Sequence, residues 1–370
     1  MGKYILLFNF IIGFMICSSA MSLTLNYRLE MLGTLGGQSS VAYGINDIGQ
    51  IVGSSHLSGY SDTRAFLYEN GIMINLGTFS SYTSIAYDIN NAGQIVGESN
   101  VDSTYSHAFL YENGIMIDLG TFGGKYSVAR MINESGQIAG QAYIPATIIY
   151  GERGYGFLYK NGVMYNLSPL RDGYGLNNNG EVVGYSYNPN FEATYHCGDI
   201  DNEEPIIYLG AIDGDWSWAW DINDHGQVVG QSQTSIPGEY HAFLYENGVM
   251  KDLGTVSNGT SSYAKAINNS GLIVGDVWVS GRNHAFLYVN GEMIDLNSLI
   301  DPDLGWTLAV AYDINEYGDI VGVASSPSQT VNQGFLLYNM DADRSNSDVI
   351  PEPASLILLV FALSALIKRK

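Results

Sequence analysis

Aromatic and acidic side chains stand close together in one short stretch, which is the first candidate for a binding site. Asp213 and Asp215 precede Trp216, and Trp218 and Trp220 follow at two-residue spacing. Side chains two residues apart lie on the same face of a β-strand, so the three tryptophans share one side. An exposed indole can stack on a sugar ring. Trp216, with Asp213 and Asp215 beside it, is therefore the predicted ligand-binding group.

A second candidate is a run of carboxylates. Its members stand within six residues of one another, and they are Asp199, Asp201, Glu203 and Glu204. Crowded carboxylates repel one another, and extracellular modules often bind Ca²⁺ weakly through such oxygen ligands. The run predicts a weak Ca²⁺ site, and the alternative is a solvated loop in a decayed repeat. No other cofactor is expected.

The histidines do not form a catalytic pattern. Three of them belong to His-Ala-Phe triplets, at His107, His241 and His284. Equivalent positions elsewhere hold Arg64, Tyr155 and Gln333. A metal ligand or general base would not tolerate this exchange, so these histidines are interpreted as polar residues at strand ends. Neither His-x-x-x-His nor Gly-x-Ser-x-Gly occurs. We therefore predict a non-enzymatic protein, and a polysaccharide lyase or glycosidase is the alternative.

The elements that position these residues come from an internal repeat. A decapeptide recurs as GINDIGQIVG from Gly44, DINNAGQIVG from Asp88, MINESGQIAG from Met131, GLNNNGEVVG from Gly175, DINDHGQVVG from Asp221, AINNSGLIVG from Ala266 and DINEYGDIVG from Asp313. Its asparagines are spaced 43 to 47 residues apart. Seven copies at a period near 45 indicate a repeat architecture.

Each repeat reads as two β-hairpins. Asn-x-x-Gly closes the first, because the Asn side chain can cap the turn and Gly can adopt a positive φ. Asn-Gly closes the second in most repeats, as at Asn113-Gly114. Four short strands per repeat predict an all-β fold, a seven-bladed β-propeller with four-stranded blades.

The ends of the repeat region complement each other. The seventh repeat has three strands, the last at residues 334–338, and a polar linker at residues 341–350 follows. Residues 27–34 align with the missing fourth strand, so the N-terminal strand is predicted to close the ring. The propeller domain is assigned to residues 21–340.

Strand alternation predicts how the blades pack. In the segment VAYGI at residues 41–45, the large residues fall on one face and the small residues on the other. We expect the large face to pack against the small face of a neighbouring blade. Trp218 and Trp220 align with Val41 and Tyr43, so both are expected in the core, which leaves Trp216 as the exposed tryptophan.

The His-Ala-Phe triplets at His107, His241 and His284 resemble the HAF repeats of bacterial extracellular proteins. The resemblance covers most of the chain between its two ends. It implies an exported repeat protein and assigns no biochemical activity.

The N-terminal end has the layout of a secretory signal peptide. Lys3 precedes an apolar run at residues 5–16, and small residues follow up to Ala20. Residues 1–20 are therefore predicted to be cleaved, with a membrane anchor as the alternative. Cleavage removes Cys17 and leaves Cys197 without a partner for a disulfide bond.

The C-terminal end has three parts. Pro351-Glu352-Pro353 precedes an apolar run at residues 354–367, and Lys368-Arg369-Lys370 ends the chain. Residues 351–370 resemble the PEP-CTERM sorting signal of Gram-negative bacteria. The resemblance implies transient membrane contact, processing by an exosortase, and delivery to the cell surface or exopolysaccharide matrix. A plain C-terminal anchor is the alternative.

The charge balance limits the partners. The formal net charge is −22, and charged residues make up only 14% of the chain. Nucleic-acid binders carry basic patches, so nucleic acid is not an expected partner. The sequence predicts a secreted surface or matrix scaffold whose loops bind glycan, such as exopolysaccharide, or a surface protein.

Overall fold

The computed structural model describes residues 25–59, 62–147, 151–187, 191–196, 206–326 and 331–344. It confirms the all-β fold, because seven four-stranded antiparallel sheets form a seven-bladed propeller. Within the described residues, the helical segments are two short 3₁₀ turns, Leu296–Leu299 and Pro302–Leu304. None of the helices in these ranges is long and apolar enough to cross a membrane.

The strands follow one another blade by blade. The chain begins with β1 (Tyr27–Met31). Blade 1 holds β2 (Gly36–Ile45), β3 (Ile51–Leu57), β4 (Thr63–Glu69) and β5 (Ile72–Gly77). Blade 2 holds β6 (Ser84–Ile89), β7 (Ile95–Asn100), β8 (Ser106–Glu112) and β9 (Ile115–Asp118). Blade 3 holds β10 (Ser127–Ile132), β11 (Ile138–Ile144), β12 (Arg153–Lys160) and β13 (Val163–Asn166).

The second half of the molecule repeats this order. Blade 4 holds β14 (Leu170–Leu176), β15 (Val182–Tyr187), β16 (Phe191–His196) and β17 (Ile207–Gly210). Blade 5 holds β18 (Ser217–Ile222), β19 (Val228–Gln233), β20 (Tyr240–Glu246) and β21 (Val249–Asp252). Blade 6 holds β22 (Gly259–Ile267), β23 (Ile273–Val279), β24 (Arg282–Val289) and β25 (Glu292–Asp295). Blade 7 holds β26 (Thr307–Ile314), β27 (Ile320–Ser325) and β28 (Asn332–Asn339).

The N-terminal strand closes the ring, as predicted. β1 is the fourth strand of blade 7 and pairs antiparallel with β28, from Tyr27 opposite Asn339 to Met31 opposite Phe335. The backbone N–H of Leu32 extends the pairing by donating to the Gly334 carbonyl at 2.9 Å. The first and last parts of the chain therefore share one sheet.

The two predicted turns are present in the blades. In the Asn-x-x-Gly turn of blade 2, Gly93 has a positive φ of 77°. In its Asn-Gly turn, Asn113 and Gly114 both have positive φ, as a type I′ hairpin requires. Antiparallel pairing places both kinds of turn at one end of the propeller, which we call the turn end. The opposite end, where second and third strands join and the blades connect, is the loop end.

The expected alternation of the innermost strand is wrong in its second half. A β-bulge shifts the register between Ala42 and Gly44. The bulge turns Ile45 onto the same side as Ala42, and both are buried in one core cluster. Tyr43 stays partly buried and packs against aromatic rings of two neighbouring blades. The extra residue of a bulge reverses the side-chain direction that strict alternation assumes.

Small residues let the strands within a blade approach closely. A Cβ on Gly97, the last residue of its decapeptide, would lie 2.0 Å from the Ile85 carbonyl oxygen and against the Phe109 ring. The Phe109 ring is fully buried, as the Phe of the His-Ala-Phe triplet is in other blades. Ser127 Oγ accepts from the Ala108 N–H at 2.8 Å and so connects blades 2 and 3. The triplet is thus a packing and inter-blade bonding motif.

Candidate functional site

An aromatic surface lies at the loop end of blades 4 and 5. It consists of Tyr187, Phe191, Trp216 and Trp218. Trp216 precedes β18, with its ring centre 6.2 Å from both Phe191 and Trp218 at near-perpendicular angles. Tyr187 packs edge-on against Phe191 at 5.5 Å. Trp216 is 41% exposed and Tyr187 is 58% exposed, so solvent reaches both rings.

The candidate residues beside Trp216 are also exposed. Asp213 and Asp215 lie in the connection between blades 4 and 5. The Asp215 N–H donates to Gln233 Oε1 at 3.3 Å, and the Gln233 N–H donates to the Trp216 carbonyl at 2.8 Å. The structure therefore brings the three predicted binding residues together on one surface, and the backbone around Trp216 is anchored to β19.

Trp218 and Trp220 are not in the buried core, contrary to expectation. Trp218 is partly buried and stacks on Phe191 at 5.9 Å. Trp220 is also partly buried, and its ring packs 4.4 Å from Tyr174 of blade 4. The register shift between Ala219 and Asp221 separates Trp220 from the fully buried residues of its strand, as the shift in blade 1 does for Tyr43.

Trp220 belongs to a ring of side chains with one member from each innermost strand. The members are Tyr43, Tyr87, Arg130, Tyr174, Trp220, Lys265 and Tyr312. Arg130 lies 4.6 Å from the Tyr174 ring centre and 5.9 Å from that of Tyr87, and Lys265 lies 4.6 Å from Trp220. Cations placed over aromatic faces are attracted by the ring quadrupole. These contacts connect the innermost strands around the propeller axis.

The decapeptide asparagines form a second ring at the turn end. Asn46 Nδ2 donates to the Asn90 carbonyl of the next blade at 3.0 Å. The same bond recurs from Asn90, Asn133, Asn177, Asn223 and Asn268, and Asn315 closes the circle on the Asn46 carbonyl. Asn46 Oδ1 also accepts from the Gln50 N–H at 2.9 Å, which is the predicted turn cap.

A third ring, one residue after the asparagines, surrounds the propeller axis at the turn end and forms the mouth of the central channel. In chain order it alternates carboxylates with amides, as Asp47, Asn91, Glu134, Asn178, Asp224, Asn269 and Glu316, and two carboxylates are adjacent where the ring closes. In each blade the backbone N–H of the ring residue donates to the side-chain oxygen of the next, and the bond from Glu316 to Asp47 Oδ1, at 3.0 Å, completes the circle. The asparagine ring and this third ring surround a cavity of about 230 Å³.

Three buried aspartates lie under this mouth. Asp88 Oδ1 accepts from its neighbour Ile89 N–H, and Oδ2 accepts from the Ile132 N–H of blade 3. Asp221 and Asp313 bond in the same way to two blades each. Burial raises the pKa of Asp88 to about 7 and that of Asp313 to about 6, and repulsion from Asp313 adds to the effect on Asp88.

The acidic mouth does not form a metal centre among the described residues. No three His, Cys, Asp or Glu side chains in these ranges are arranged to hold a metal ion. Their carboxylate oxygens accept hydrogen bonds from backbone N–H groups of the neighbouring blades, and this role explains why acids occur at these positions. Sequence reasoning missed this ring. The alternation of acid and amide after each repeat asparagine was the signal that could have found it.

The repeat histidines have carboxylate partners. His107 Nδ1 lies 2.9 Å from Asp118 Oδ2, which joins β8 to the end of β9. His241 and His284 have the same arrangement with Asp252 and Asp295. Each pair connects the third and fourth strands of its blade, so the geometry assigns these histidines a structural contact.

Two predicted groups lie outside the described residues. Asp199, Asp201, Glu203 and Glu204 fall between β16 and β17, and Pro351, Glu352 and Pro353 follow the last described residue, Arg344. β16, which precedes the acidic run, ends at the turn end, and β17, which follows the run, begins there. Trp216, by contrast, lies at the loop end.

Comparison with solved structures finds other chains at low sequence identity. A gluconolactonase from Xanthomonas campestris aligns with a TM-score of 0.38 and 10% identity, over 85% of this chain and 90% of that one. TolB from Acinetobacter baumannii gives 0.41 and 12%, over 80% and 81%. Dipeptidyl peptidase 4 from Porphyromonas gingivalis gives 0.38 and 12%, over 80% of this chain and 51% of the peptidase. Likenesses at this level carry no functional weight.

The family comparison is more specific. No curated protein matches the chain. The family model described as a protein of unknown function, DUF3466, matches residues 34–117 and 172–304, which together make up more than half of the chain. The matched segments run from the end of the closing strand through blade 1 and most of blade 2, and from blade 4 to blade 6. The chain therefore belongs to the DUF3466 family of proteins of unknown function.

Proposed function

We propose that this protein is an exported, non-enzymatic scaffold that binds glycan through the aromatic surface at the loop end. The observation that carries the proposal is Trp216, an exposed indole held between two rings and flanked by Asp213 and Asp215. Stacking on an aromatic face covers the apolar side of a sugar ring, and the flanking carboxylates accept hydrogen bonds from its hydroxyl groups.

The surface is well suited to binding because its parts are held in place. Phe191 of blade 4 stacks on Trp218 of blade 5, and Tyr240 also packs against Trp218 at 6.0 Å. Aromatic side chains have few rotatable bonds, so little conformational entropy is lost when a ligand orders them. A pre-organised aromatic surface supports recognition of a repeating polymer.

A binding role rather than a catalytic role is supported by the pairing of the repeat histidines. The three histidines of the triplets each contact an aspartate of their own blade, and the triplet position varies between repeats. A general acid or base would need one blade to differ from the others at a reacting centre. We therefore assign the loops to recognition.

The positions of the two described chain ends support a model in which the aromatic surface faces away from the C-terminal tail. β1 begins at Tyr27 opposite Asn339, and Arg344 pairs with Asp319 at the turn end. The described chain thus enters and leaves at the end opposite Trp216. We propose that the PEP-CTERM-like tail delivers the protein to the cell surface or exopolysaccharide matrix through an exosortase, and that the aromatic surface then faces outward.

A weak Ca²⁺ site in the run at Asp199, Asp201, Glu203 and Glu204 is a separate proposal. Calorimetry with CaCl₂ should give heat for the wild-type protein and less for an Asp199→Asn/Asp201→Asn variant, because that variant loses two anionic ligands. Equal heats from both proteins, or none from either, would leave this segment as a decayed turn.

A glycan array tests the proposed function. The protein, probed with and without Ca²⁺, should bind a defined subset of glycans. That subset should bind in both conditions, because Trp216 lies at the loop end, whereas the ends of β16 and β17 next to the acidic run lie at the turn end. No binding to any glycan in either condition would contradict the proposal and leave a protein ligand as the candidate.

A further inference from the structure

A polar cavity of about 280 Å³ lies between blades 2 and 3, away from the aromatic surface. Its walls include Glu98, Ser106, Tyr126, Arg130, Gln141 and Tyr143. Ser106 begins β8, Tyr126 precedes β10 and Tyr143 lies near the end of β11, so the cavity belongs to the loop end. Each of these side chains is partly exposed, and a ligand entering from the loop end would meet them.

Hydrogen-bonding groups of both kinds are available in this cavity. Arg130 uses Nε and Nη2 on Asp172, at 3.0 and 2.9 Å, and within the described residues its Nη1 has no hydrogen-bond partner. Gln141 uses Nε2 on the Arg171 carbonyl at 2.7 Å, which leaves its Oε1 as an acceptor. The cavity therefore offers a donor and an acceptor on side chains that are already oriented by other bonds.

Glu98 adds a fixed acceptor. Its Oε1 accepts from the Tyr87 hydroxyl at 2.8 Å, and its Oε2 accepts from Ser106 Oγ at 2.7 Å. Each carboxylate oxygen can accept a further hydrogen bond from a ligand. Glu98 forms no ion pair with the described residues, so it contributes one uncompensated negative charge, whereas the charge of Arg130 is balanced by Asp172.

Two aromatic rings form the remaining walls. Tyr126 packs edge-on against Tyr143 at 5.6 Å, and Tyr105 supports Tyr126 from outside the cavity at 5.3 Å. Aromatic walls with a few oriented donors and acceptors suit a small ligand that has apolar faces and many hydroxyl groups. An anionic ligand would be repelled by Glu98 and by the net charge of −22.

We propose that this cavity binds one neutral sugar unit, and that it discriminates against uronic acids. The proposal rests on the proposed function, because it adds a second glycan site on the same end of the propeller. Arg130 Nη1 and Gln141 Oε1 bind hydroxyl groups of the sugar, Glu98 accepts another, and Tyr143 covers one ring face.

Saturation-transfer NMR with D-glucose, D-galactose, D-mannose and D-glucuronate tests the cavity. At least one neutral hexose should bind the wild-type protein, with glucuronate at least about tenfold weaker. Tyr143→Ala should weaken hexose binding at least about tenfold, whereas Tyr82→Ala, an exposed residue before β6 that is not part of the cavity wall, should stay within about twofold. Glu98→Gln keeps the shape of the wall but removes its negative charge, so it should reduce the difference in affinity between hexose and glucuronate. This variant tests the proposal even if Tyr143→Ala fails to fold.

Three results would overturn the cavity proposal: no hexose binding to the wild-type protein, equal binding by Tyr143→Ala, or glucuronate binding as tightly as the hexoses. Failure of the aromatic surface gives a different result. Polymer binding that does not change in Trp216→Ala, together with hexose binding that is lost in Tyr143→Ala, would reject the surface and retain the cavity.

Discussion

Each repeat asparagine contacts both its own turn and the next blade, and only the contact with its own turn can be predicted from its own repeat. Its side-chain oxygen caps the turn in which it stands, which the Asn-x-x-Gly spacing indicates. Its amide nitrogen donates to the carbonyl of the equivalent asparagine one blade away. That second contact depends on the curvature of the ring, so it becomes visible only when neighbouring blades are in place.

The buried aspartates show why a carboxylate is used only in some blades. Asp88, Asp221 and Asp313 each accept one N–H from their own blade and one from the next, so one carboxylate serves two blades. Equivalent positions in the blades that follow them hold Met131, Ala266 and Gly44. The three aspartates therefore serve six of the seven blades in pairs, and blade 4, with Gly175 at this position, lies outside the pairs.

These aspartates predict a pH dependence of stability. Burial raises the pKa of Asp88 to about 7 and of Asp313 to about 6, above the value of about 4 for an unfolded aspartate. The folded protein then binds more protons than the unfolded chain between about pH 4 and pH 7, so the free energy of unfolding should fall as pH rises through this window. Urea denaturation at about pH 5 and pH 8 measures the difference.

Asp88→Asn should reduce this pH dependence, because it removes one group whose pKa is raised by burial. Asp303→Asn is the matched control, since Asp303 is exposed and its substitution also replaces one carboxyl group by an amide. A wild-type stability that rises from about pH 5 to pH 8, or equal effects of the two variants, would reject this account of the aspartates.

Ser186 predicts an unusual response to substitution. It is fully buried, and its hydroxyl is the one buried side-chain group in the described ranges that has no hydrogen-bond partner. The equivalent Ser232 Oγ accepts from the Ile212 N–H at 2.8 Å. In blade 4 the corresponding donor, the Leu170 N–H, bonds to the Leu167 carbonyl instead.

Ser186→Ala should therefore leave the free energy of unfolding within about 0.5 kcal/mol of wild type or raise it, since it removes an unpaired polar group. Ser232→Ala should lower it by about 1–3 kcal/mol, because the Ile212 N–H loses its acceptor. Chemical denaturation of both variants measures the contrast. Equal losses in the two variants would mean that the serine hydroxyls do not differ in this way.

At the scale of the element, turns were easier to predict than faces. Asn-Gly and Asn-x-x-Gly require positive φ, and few residues adopt it, so the sequence specifies these turns locally. The face of a strand residue was mispredicted wherever a β-bulge shifts the register, as between Ala42 and Gly44. A bulge adds one residue without changing composition, so alternation alone does not locate it.

The closing strand supports a prediction at this scale. A chain that begins at residue 36 lacks β1 and the buried Leu32, so β28 keeps its pairing with β27 but loses its partner on the other edge. Its melting temperature should be at least about 10 °C below that of a chain that begins at residue 21, because several kcal/mol of burial are lost. Thermal denaturation followed by circular dichroism measures it. Equal melting temperatures would contradict closure by β1.

At the scale of the whole molecule, the repeat period and the absence of a fourth strand from the seventh repeat are enough to predict a closed ring of blades. A period near 45 residues with four strand signals is typical of a blade, and closure followed from the alignment of the N-terminal segment with the missing strand. The binding surface was only partly predictable. Trp216 was identified because its neighbours align with repeat positions and it does not, whereas Tyr187 and Phe191 join it through contacts between strands.

The tail provides a prediction for the intact protein. In a host with an exosortase, surface protein should end near Pro351 and lack Lys368, Arg369 and Lys370, because the apolar run and basic end resemble a sorting signal that is removed. Intact-mass measurement of surface-extracted protein tests it. A mass that includes the complete tail would favour the plain anchor.

Binding by Trp216 is the central claim, and the chain contains a matched control. Trp278 is exposed to a similar extent, 44% against 41%, but lies on β23 of blade 6 and packs against no other aromatic ring in the described residues. Calorimetric titration with a glycan that binds on the array compares the two tryptophans directly. Trp216→Ala should weaken binding at least about tenfold, and Trp278→Ala should leave it within about twofold. Equal affinities of wild type and Trp216→Ala would contradict the claim.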